Sequence, residues 1–449
     1  MIISNIFNNS IQKINNYIKN DESKTDLSKK SEKININGYY KCNYTSLSIG
    51  GYIDILNNNN FLNTLKNNWS IWFPQGGYNN IDEKLKKLKI KNKDQIIFAI
   101  PNGDNIVSKY NVCKTLYKYY GEEISTKIIP SSYLLDNKSD IEKIKLDNNT
   151  KYILKKKIQR KEGLKITSDK EEIINGYKND YLIAQKLIEP FLVKDRKINL
   201  RIYLMIVIEN NTITAYINKY GTCIYTKNKY NNESYDFESQ ITSYNMDIKL
   251  YDDYPLTLEQ FKTYLNDNNY DYNKFFNKIN NSLSLFLNAF KDQIGNDKKF
   301  INNKCAQVFG VDFIIDKNLN PILLECNKGP DMKPKIKIKS DPDITTEIID
   351  KINELTKNLS NNNITNNDKL LLIKNTYRKL YKNYPKTIPT KTILTKINHF
   401  YNNEKHLKSY PTGYISGCGL KVQQDALEIL NILDISKNNG FEKIIDIKK

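Results

Sequence analysis

The chain has 449 residues, 39% of them hydrophobic, and a formal net charge of +19, so we expect several structural units and an anionic partner such as nucleic acid, anionic lipid or an acidic protein segment. The only two histidines, His399 and His406, lie near the C-terminus, which excludes histidine acid–base chemistry from the central part of the chain. Six scattered cysteines without metal-ligand spacing, and a first segment unlike a signal peptide, predict a cytoplasmic protein with reduced thiols.

The first third of the chain predicts a polar tail followed by an α/β segment. Residues 1–33 are polar and charged, and residues 34–108 alternate short apolar runs with Gly and Asn turns. Residues 69–74 and 95–101 have the composition of strands. Residues 104–120 have the apolar spacing of a helix.

Two segments of the next third combine a predicted strand with polar side chains. Residues 151–156 predict a strand that runs into a basic, Gly-containing loop from Lys155 to position 165, which lacks a Walker A pattern and would close over bound phosphates. Residues 181–188 predict a strand whose end offers donors and acceptors to a flat base edge, with Gln185 adding one of each. A solvated surface is the alternative interpretation of both segments.

The strand predicted over 197–208 has two different faces. Lys197, Asn199 and Arg201 alternate with three apolar residues, so the polar three share one face. Such a face is suited to a polyphosphate, and a solvated outer face is the alternative. The apolar part of this strand is the longest in the chain and is far too short to cross a membrane, so no membrane span is expected.

A β-hairpin is predicted between residues 308 and 327. A tight loop over 317–320 would join its two strands. The register that follows pairs Asp316 with Pro321, Ile314 with Leu323 and Asp312 with Glu325.

The acidic face of this hairpin predicts a metal site. Asp312 and Glu325 lie opposite one another among apolar neighbours, and Asn327 lies on the same face as Glu325. Opposed like charges in such surroundings are unfavourable unless a cation neutralises them. Two carboxylates with an amide oxygen suit Mg²⁺, which usually also binds nucleotide phosphates. The alternative is a half-exposed hairpin edge with both carboxylates in water.

Helical patterns surround the hairpin. Amphipathic spacing predicts one helix before it, over 275–290, and three after it, over 344–359, 369–384 and 423–433. Strands, then a helix, then a hairpin predict an α+β fold rather than a doubly wound sheet. We divide the chain into a polar tail (1–33), an N-terminal α/β domain (34–108), a central domain (109–189), a C-terminal domain with the metal site (190–345) and an accessory helical region (346–449).

Taken together, these segments resemble the tubulin-tyrosine ligase family, including its polyglutamylases, within the ATP-grasp superfamily. The match runs with gaps from about Trp69 to Pro330. It is closest at Tyr152-Ile-Leu-Lys, Ala184-Gln-Lys-Leu-Ile-Glu-Pro, Arg196-Lys-Ile-Asn-Leu-Arg, Phe309-Gly-Val-Asp-Phe and Glu325-Cys-Asn327. The resemblance implies an ATP-grasp-type fold whose two ATP-grasp domains span 109–189 and 190–345, with an extra C-terminal helical region.

The resemblance also implies ATP and Mg²⁺ as cofactors. Asp312, Glu325 and Asn327 would hold the metal ion. The residues with a catalytic role would be Arg201, Lys197 and Lys219. Of these, Arg201 would face the γ-phosphate, and Lys219 stands where the family usually has arginine.

The nucleotide contacts that the family implies form a larger set. They would be made by Lys109, Lys155, Gln185, Lys186, Ile188, Lys197, Asn199 and Thr242. Gln185 and Ile188 would contact adenine, whereas Lys197 and Asn199 would face the ribose and phosphates. Asn199 stands where the family usually has aspartate.

The reaction implied by the family joins a carboxylate to an amine at the expense of ATP. The carboxylate is phosphorylated, and the amine of a free amino acid, glutamate or tyrosine, then attacks the acyl phosphate. Cations and Mg²⁺ neutralise the transferring phosphoryl group, and no protein nucleophile is required. A positive surface would steer an acidic protein toward the site, and the family implies that this partner is the Glu-rich tail of tubulin.

Two alternatives remain open. A catalytically weak or inactive protein of the same fold would bind microtubules through its basic surface, an interpretation motivated by Asn199 and Ser243. A nucleic-acid binder would account for the +19 charge and the 32 tyrosines. The lysines are spread along the whole chain without a recognisable nucleic-acid motif, which disfavours the second alternative.

Overall fold

The computed structural model describes residues 38–42, 49–148, 150–157, 163–243, 250–330, 332, 335–336, 415–416, 418–436 and 438–449. The chain divides into two compact units. The larger comprises Lys30–Pro334 and Cys418–Lys449, and the smaller comprises Met1–Lys29 and Lys335–Gly417. The predicted polar tail over 1–33 and the predicted helices over 344–359 and 369–384 lie outside the described residues.

The larger unit begins with short parallel strands and two helices. The strands are β1 (Tyr39–Lys41), β2 (Leu62–Asn63), β3 (Ile71–Trp72) and β4 (Ile96–Ile97). Helix α1 (Gly50–Asn58) connects β1 to β2, and α2 (Ile81–Lys87) connects β3 to β4. The rings of Tyr52, Phe73 and Phe98 pack together in the core beneath them. Strands are thus present in both segments predicted here, 69–74 and 95–101.

The next segment forms a second, antiparallel sheet. Helix α3 (Lys109–Ile128) begins after Ser108, whose side chain accepts a hydrogen bond from the Asn111 N–H. The strands are β5 (Ser132–Leu134), β6 (Tyr152–Lys156), β7 (Leu164–Thr167) and β8 (Tyr181–Lys186), arranged in the order β5-β8-β6-β7. Helices α4 (Lys138–Leu146) and α5 (Lys170–Ile174) connect them. This sheet lies within residues 109–189.

A long hairpin then enters the main sheet. Strand β9 (Leu192–Val193) precedes β10 (Arg196–Glu209) and β11 (Thr212–Tyr225). Asn210 and Asn211 join the two long strands with φ values of 49° and 57°. Two left-handed residues between paired strands are the geometry of a tight hairpin turn, and asparagine tolerates it better than most residues.

Helices separate this hairpin from the next one. They are α6 (Phe237–Gln240), α7 (Leu250–Asp253), α8 (Leu258–Asp267) and α9 (Tyr272–Phe290). Helix α9 buries an apolar stripe through Phe275, Ile279 and Phe286, as its 3.6-residue spacing predicts. Strands β12 (Cys305–Ile315) and β13 (Pro321–Lys328) follow, and every residue of β12 is buried.

The last described elements are divided between the two units. In the smaller unit, β14 (Lys335–Ile336) pairs with β15 (Ile415–Ser416). In the larger unit, helix α10 (Cys418–Ile429) precedes β16 (Phe441–Lys448), which pairs with β11. Part of the region predicted to be helical, over 418–449, therefore lies in the larger unit and ends in a strand of the main sheet.

Within the described ranges the main sheet has the order β16-β11-β10-β12-β4-β3-β1-β2. Strand β13 pairs with β12, and β9 pairs with β10. The N-terminal strands join this sheet through a parallel contact between Ile97 and Cys305. Parallel and antiparallel pairs combined with separate helices confirm the predicted α+β class. None of the described helices is long and apolar enough to cross a membrane.

Candidate active site

The acidic face of the β12–β13 hairpin is present, on a register that differs in part from the prediction. Asp312 pairs directly with Glu325, as predicted. Nearer the turn the predicted pairs are wrong by one residue, because Ile315 pairs with Pro321 and Ile314 with Ile322. An irregularity in the pairing between Asp312 and Phe313 absorbs this shift.

Arg201 binds Asp312 across the neighbouring strand pair. The two residues are ladder partners in the β10–β12 pairing. Arg201 Nε lies 2.5 Å from Asp312 Oδ1, and Nη2 lies 2.8 Å from Oδ2. Both residues are 8% exposed. A bidentate pair of this kind fixes the plane of the guanidinium as well as its distance from the carboxylate.

Glu325 is bound by a cation from a different element. Lys109, the first residue of α3, places its Nζ 2.7 Å from Glu325 Oε2. Asn327 donates from Nδ2 to Glu325 Oε1 at 3.0 Å and to Asp312 Oδ2 at 3.5 Å. The three predicted metal ligands are thus within reach of one another, with one cation on either side.

Gly310 makes room for the Arg201 side chain, a role that sequence reasoning missed. A Cβ added at Gly310 would lie 2.8 Å from Pro330 Cβ and 3.1 Å from Arg201 Cδ. In the sequence alone, this glycine stands out only as part of the Phe309-Gly-Val-Asp-Phe segment and has no predicted role of its own. Its position two residues before Asp312, on the same face of the strand, was the available signal.

Burial and the two cations set the pKa values of the carboxyl groups. Burial raises the pKa of Asp312, although the Arg201 guanidinium acts in the opposite direction. Burial also acts to raise the pKa of Glu325, but Lys109 and Asn327 outweigh it and bring the value to about 2. Glu325 is therefore ionised at every physiological pH.

Lys155 faces the same site from the second sheet. Its Nζ donates to Gln185 Oε1 at 2.5 Å, and Gln185 Nε2 donates to Ser132 Oγ at 2.9 Å. Burial, with smaller contributions from Lys109 and Lys197, lowers the pKa of Lys155 to about 7, and Glu325 opposes this shift. Ser132 was not predicted, since only the pairing of β5 with β8 brings it beside Gln185.

Lys155, Gln185 and Glu325 line a narrow pocket between the two sheets. Its remaining walls are largely apolar side chains, namely Val107, Val112, Cys113, Ile129, Ile183, Leu323, Leu324 and Cys326. A pocket with apolar walls and a few convergent polar groups is the usual form of a small-molecule site.

The polar face of β10 is buried rather than solvated. Lys197 Nζ donates to the Gln240 carbonyl at 2.8 Å, and burial lowers its pKa to about 8. Asn199 Nδ2 donates to Thr242 Oγ1 at 2.9 Å. The Asn199 Oδ1 atom is buried and accepts no hydrogen bond within the described chain. An unpaired buried acceptor is costly unless a water or a ligand supplies the donor, so this atom is available to a bound ligand.

A wider basic pocket of about 270 Å³ adjoins Lys109 and Lys155. Its charged walls are Lys109, Lys155, Lys156, Lys157, Lys328 and a single acidic residue, Asp104. Lys328 Nζ contacts both carboxylate oxygens of Asp104, at 2.6 and 2.7 Å. This surplus of ammonium groups favours an anionic occupant.

Three of the predicted site residues are placed differently. Lys186 pairs with Asp147 at 2.5 Å, on the strand face opposite to Gln185. Ile188 is half-buried beyond the end of β8 and lines neither pocket. Lys219 is exposed, with Nζ 5.4 Å from the Tyr220 ring centroid, and shares no hydrogen bond or ion pair with the acidic face among the described residues. The predicted phosphate loop over 155–165 is described only in part.

The chemistry of these groups fits both a divalent cation and a nucleotide. Asp312 and Glu325 supply carboxylate oxygens of the type that Mg²⁺ takes, and Asn327 would add its amide oxygen after a flip of the amide that now directs Nδ2 at both carboxylates. The orphaned Asn199 Oδ1 offers an acceptor to a hydroxyl group, and Lys155, Lys197 and Arg201 offer charge to phosphates. In the described structure Arg201 forms an ion pair with Asp312, and Lys109 forms one with Glu325.

Comparison with known proteins relates this site to one family. A model described as "Tubulin-tyrosine ligase family" matches residues 62–363. The chain is 26% identical over 189 residues to "Probable alpha-tubulin polyglutamylase Ttll1" of Tetrahymena thermophila, covering 40% of this chain and 44% of that protein. It is 25% identical over 218 residues to "Tubulin glycylase 3B" of Drosophila melanogaster, covering 44% and 28%. It is 27% identical over 253 residues to "Probable tubulin polyglutamylase TTLL2" of Mus musculus, covering 51% and 45%.

The chain thus spans less than half the length of each of these three relatives. The family match, in contrast, extends over well more than half of the chain. It includes every residue of the acidic face and of the two pockets. The protein belongs to the tubulin-tyrosine ligase family.

Proposed function

We propose that the protein is an ATP-dependent ligase that joins a carboxylate of an acidic protein, such as a tubulin tail, to the amine of free glutamate. The observation that carries the proposal is the pairing of Asp312 with Glu325, with Arg201 and Lys109 bound to them. Carboxylates and cations that converge at one site, half of them buried, are what phosphoryl transfer requires. Family membership and relatives named as tubulin polyglutamylases support the same reaction.

The reaction has two steps. A substrate carboxylate oxygen attacks the γ-phosphorus of ATP, and the bond to the bridging oxygen breaks, which gives an acyl phosphate and ADP. The neutral amine of the amino acid then attacks the acyl carbon, and phosphate leaves as the amide forms and the amine loses a proton. Magnesium held by Asp312, Glu325 and Asn327 would neutralise phosphate charge.

The cations of this chain act on both steps. Lys155 and Lys197 lie buried where they would bind phosphate oxygens, and Arg201 would exchange one anionic partner, Asp312, for the transferring phosphoryl group. The apolar walls around Gln185 would receive the adenine ring and exclude water from the acyl phosphate.

The basic pocket supports glutamate as the amino acid. A second carboxylate on the substrate would find Lys156, Lys157 and Lys328 on the pocket wall. Tyrosine and glycine carry no second carboxylate to offer these lysines, of which Lys328 is already paired with Asp104. Glycine remains the competitor to test, because one relative is named a tubulin glycylase.

Mass spectrometry of tubulin after incubation with the protein, ATP and Mg²⁺ tests the proposal. Glutamate, glycine and tyrosine are supplied in separate reactions, and glutamate is expected to give the added mass. Asp312→Asn is expected to abolish the addition, whereas Asp434→Asn, at an exposed position, leaves it unchanged. No added mass with any of the three amino acids would contradict the ligase and favour a non-catalytic microtubule binder.

A further inference from the structure

A lysine-rich segment joins helix α2 to strand β4. Residues 84–93 contain six lysines and no acidic residue. The lysines at positions 86, 87, 89, 91 and 93 are exposed. Lys86 and Lys87 lie in the last turn of α2, where positive charge interacts favourably with the helix dipole. Lys89, Lys91 and Lys93 lie beyond the helix, so the dipole does not explain their presence.

A second basic segment lies against the first. Lys299 Nζ donates to the carbonyls of Leu85 and Lys86, both at 2.8 Å. Asn303 Nδ2 donates to the carbonyls of Asn92 and Lys93, at 2.9 and 3.3 Å. Both ends of the 84–93 segment are thus held against residues 299–303. Together they form what we name the α2–β4 basic surface, made up of Lys86, Lys87, Lys89, Lys91, Lys93 and Lys298.

The lysines of this surface differ from those elsewhere in the protein. None of the six forms an ion pair with a residue that the structure describes. Exposed lysines on other elements do, among them Lys127 with Glu123 and Lys145 with Glu142. Lys89 also adds its charge to the surroundings of Lys41, whose pKa is lowered by burial and then by Lys89. Unneutralised clusters of one sign oppose the compact state and attract the opposite charge.

Few acidic groups face the α2–β4 basic surface. Asp82 precedes it on α2 and accepts a hydrogen bond from the Asn102 N–H, so its carboxylate is already engaged. Glu83 and Asp94, at the two ends of the segment, are exposed. Asp297, beside Lys298, accepts a hydrogen bond from the Lys299 N–H. These four carboxylates are outnumbered by the seven lysines at 84–93 and 298. The surface therefore has a net positive charge.

The surface leads toward the candidate active site. Lys84 lies close enough to Lys328 for the two charges to interact, and this repulsion, after burial, lowers the pKa of Lys84. Lys328 lines the basic pocket beside Lys109. The exposed lysines and the basic pocket are thus related through Lys84, which belongs to the same segment as those lysines.

We infer that the α2–β4 basic surface docks an acidic segment of the protein substrate outside the catalytic pocket. The identity of that substrate rests on the proposed function, whereas the chemistry of the docked segment, a run of carboxylates, rests on the surface alone. Residues 84–93 and 298–303 contain no arginine, and their one aromatic residue, Phe300, is buried. Proteins usually recognise nucleic acids with arginine guanidinium groups and with exposed aromatic rings that stack on bases. An acidic protein segment therefore suits this surface better than a nucleic acid does.

Matched lysine substitutions test this inference. The docking variant replaces Lys87, Lys89, Lys91 and Lys93 by glutamine. The control variant replaces four exposed lysines that sit in ion pairs, Lys127, Lys143, Lys145 and Lys443, and so removes the same charge. Binding is measured without ATP, to tubulin and to a glutamate-rich peptide, so that it does not depend on ligase activity.

The docking variant is expected to weaken tubulin binding by roughly tenfold and to flatten its dependence on salt. The control variant is expected to change the affinity less than about threefold. Equal weakening by both variants, unchanged binding by the docking variant, or preferential binding of duplex DNA through these lysines would each overturn the inference. Lysine-dependent binding without any amino-acid addition would leave the inference intact and defeat the proposed ligase.

Discussion

Lys155 is a buried cation whose charge depends on pH in the physiological range. Its pKa is lowered to about 7, mainly by burial. A phosphate ligand binds the protonated form, so nucleotide binding above pH 7 must be accompanied by proton uptake. We expect the affinity for ADP with Mg²⁺ to fall by up to about tenfold per pH unit above about 7, as measured by calorimetry between pH 6 and 9.

The Lys155→Met variant separates this effect from that of Lys197. It is expected to bind more weakly at every pH and to begin its loss of affinity only near 8, the pKa of Lys197. A wild-type affinity that stays constant from pH 6 to 9 would show that Lys155 does not contact phosphate in its charged form.

Gly310 offers a way to move Arg201 without removing it. An alanine Cβ there would press on Arg201 Cδ and on Pro330, so the guanidinium must shift away from Asp312. We expect Gly310→Ala to lower kcat/KM for ATP by roughly 10- to 100-fold and to cost about 1–3 kcal/mol of stability. Steady-state kinetics and chemical denaturation measure the two effects.

The matched substitution is Gly103→Ala, whose added Cβ would find its nearest neighbours at 3.7 Å. That variant is expected to leave both quantities near their wild-type values. If Gly310→Ala retains full activity, the precise position of the Arg201 guanidinium does not limit the reaction.

For single residues, the sequence predicted which side of a strand a side chain lies on better than it predicted which residue that side chain contacts. Alternation in a strand places Lys197, Asn199 and Arg201 on one side whatever surrounds them. It does not reveal that Arg201 binds Asp312 or that Lys197 binds the Gln240 carbonyl, because those contacts depend on how distant strands and loops pack. For the same reason Lys186, one residue from Gln185, turned out to pair with Asp147.

At the scale of elements, the hairpin shows how a local turn shifts a register. Asp316 Oδ1 accepts hydrogen bonds from the N–H groups of Asn318 and Asn320, and Leu319 has a left-handed φ of 57°. This compact turn uses Asp316 as part of the loop and not as a strand residue. The prediction of Asp312 opposite Glu325 still holds, because the irregularity between the turn and the site compensates.

Helix α3 contains a kink that is compatible only with glycine. Gly121 has φ 75° and ψ 179°, and an added Cβ would meet no atom of the described chain within 4 Å. Any cost of Gly121→Ala is therefore conformational, and we expect a loss of about 1–3 kcal/mol in the free energy of unfolding. Gly50→Ala, also in open space but without a positive φ, is expected to be neutral or stabilising by up to about 1 kcal/mol.

Chemical denaturation of the two variants checks this prediction. Equal stabilities would mean that the helix straightens at position 121 at no cost. In that case the kink would not be needed to hold Lys109, at the start of the helix, beside Glu325.

At the scale of the whole molecule, the fold class was predictable and the sheet composition was not. Hydrophobic periods identified strands and helices locally. The contact between β4 and β12 joins residues some 200 positions apart, and β16 adds to β11 from the end of the chain. Neither pairing leaves a trace in local spacing, so the residues over 441–448 were not predicted as a strand.

One buried carboxylate adds to the strand pairing that holds the segment 418–449 to the main sheet. Asp425 is fully buried and accepts hydrogen bonds from the Gly440 N–H at 3.0 Å and from Asn218 Nδ2 at 3.2 Å. It also pairs with Lys421 on the same helix. One side chain thus links α10, β11 and the start of β16.

Removing this carboxylate leaves a cation and two donors without their acceptor, so Asp425→Ala is expected to destabilise the protein by about 3–5 kcal/mol. Asp434→Ala, which removes an exposed carboxylate a few residues on, is expected to change stability by less than about 0.5 kcal/mol. Urea denaturation compares the two, and limited proteolysis of Asp425→Ala is expected to release fragments cut within 418–449 first. If Asp425→Ala unfolds at the wild-type urea concentration, the pairing of β16 with β11 and the apolar packing of α10 attach this segment to the sheet without help from the carboxylate.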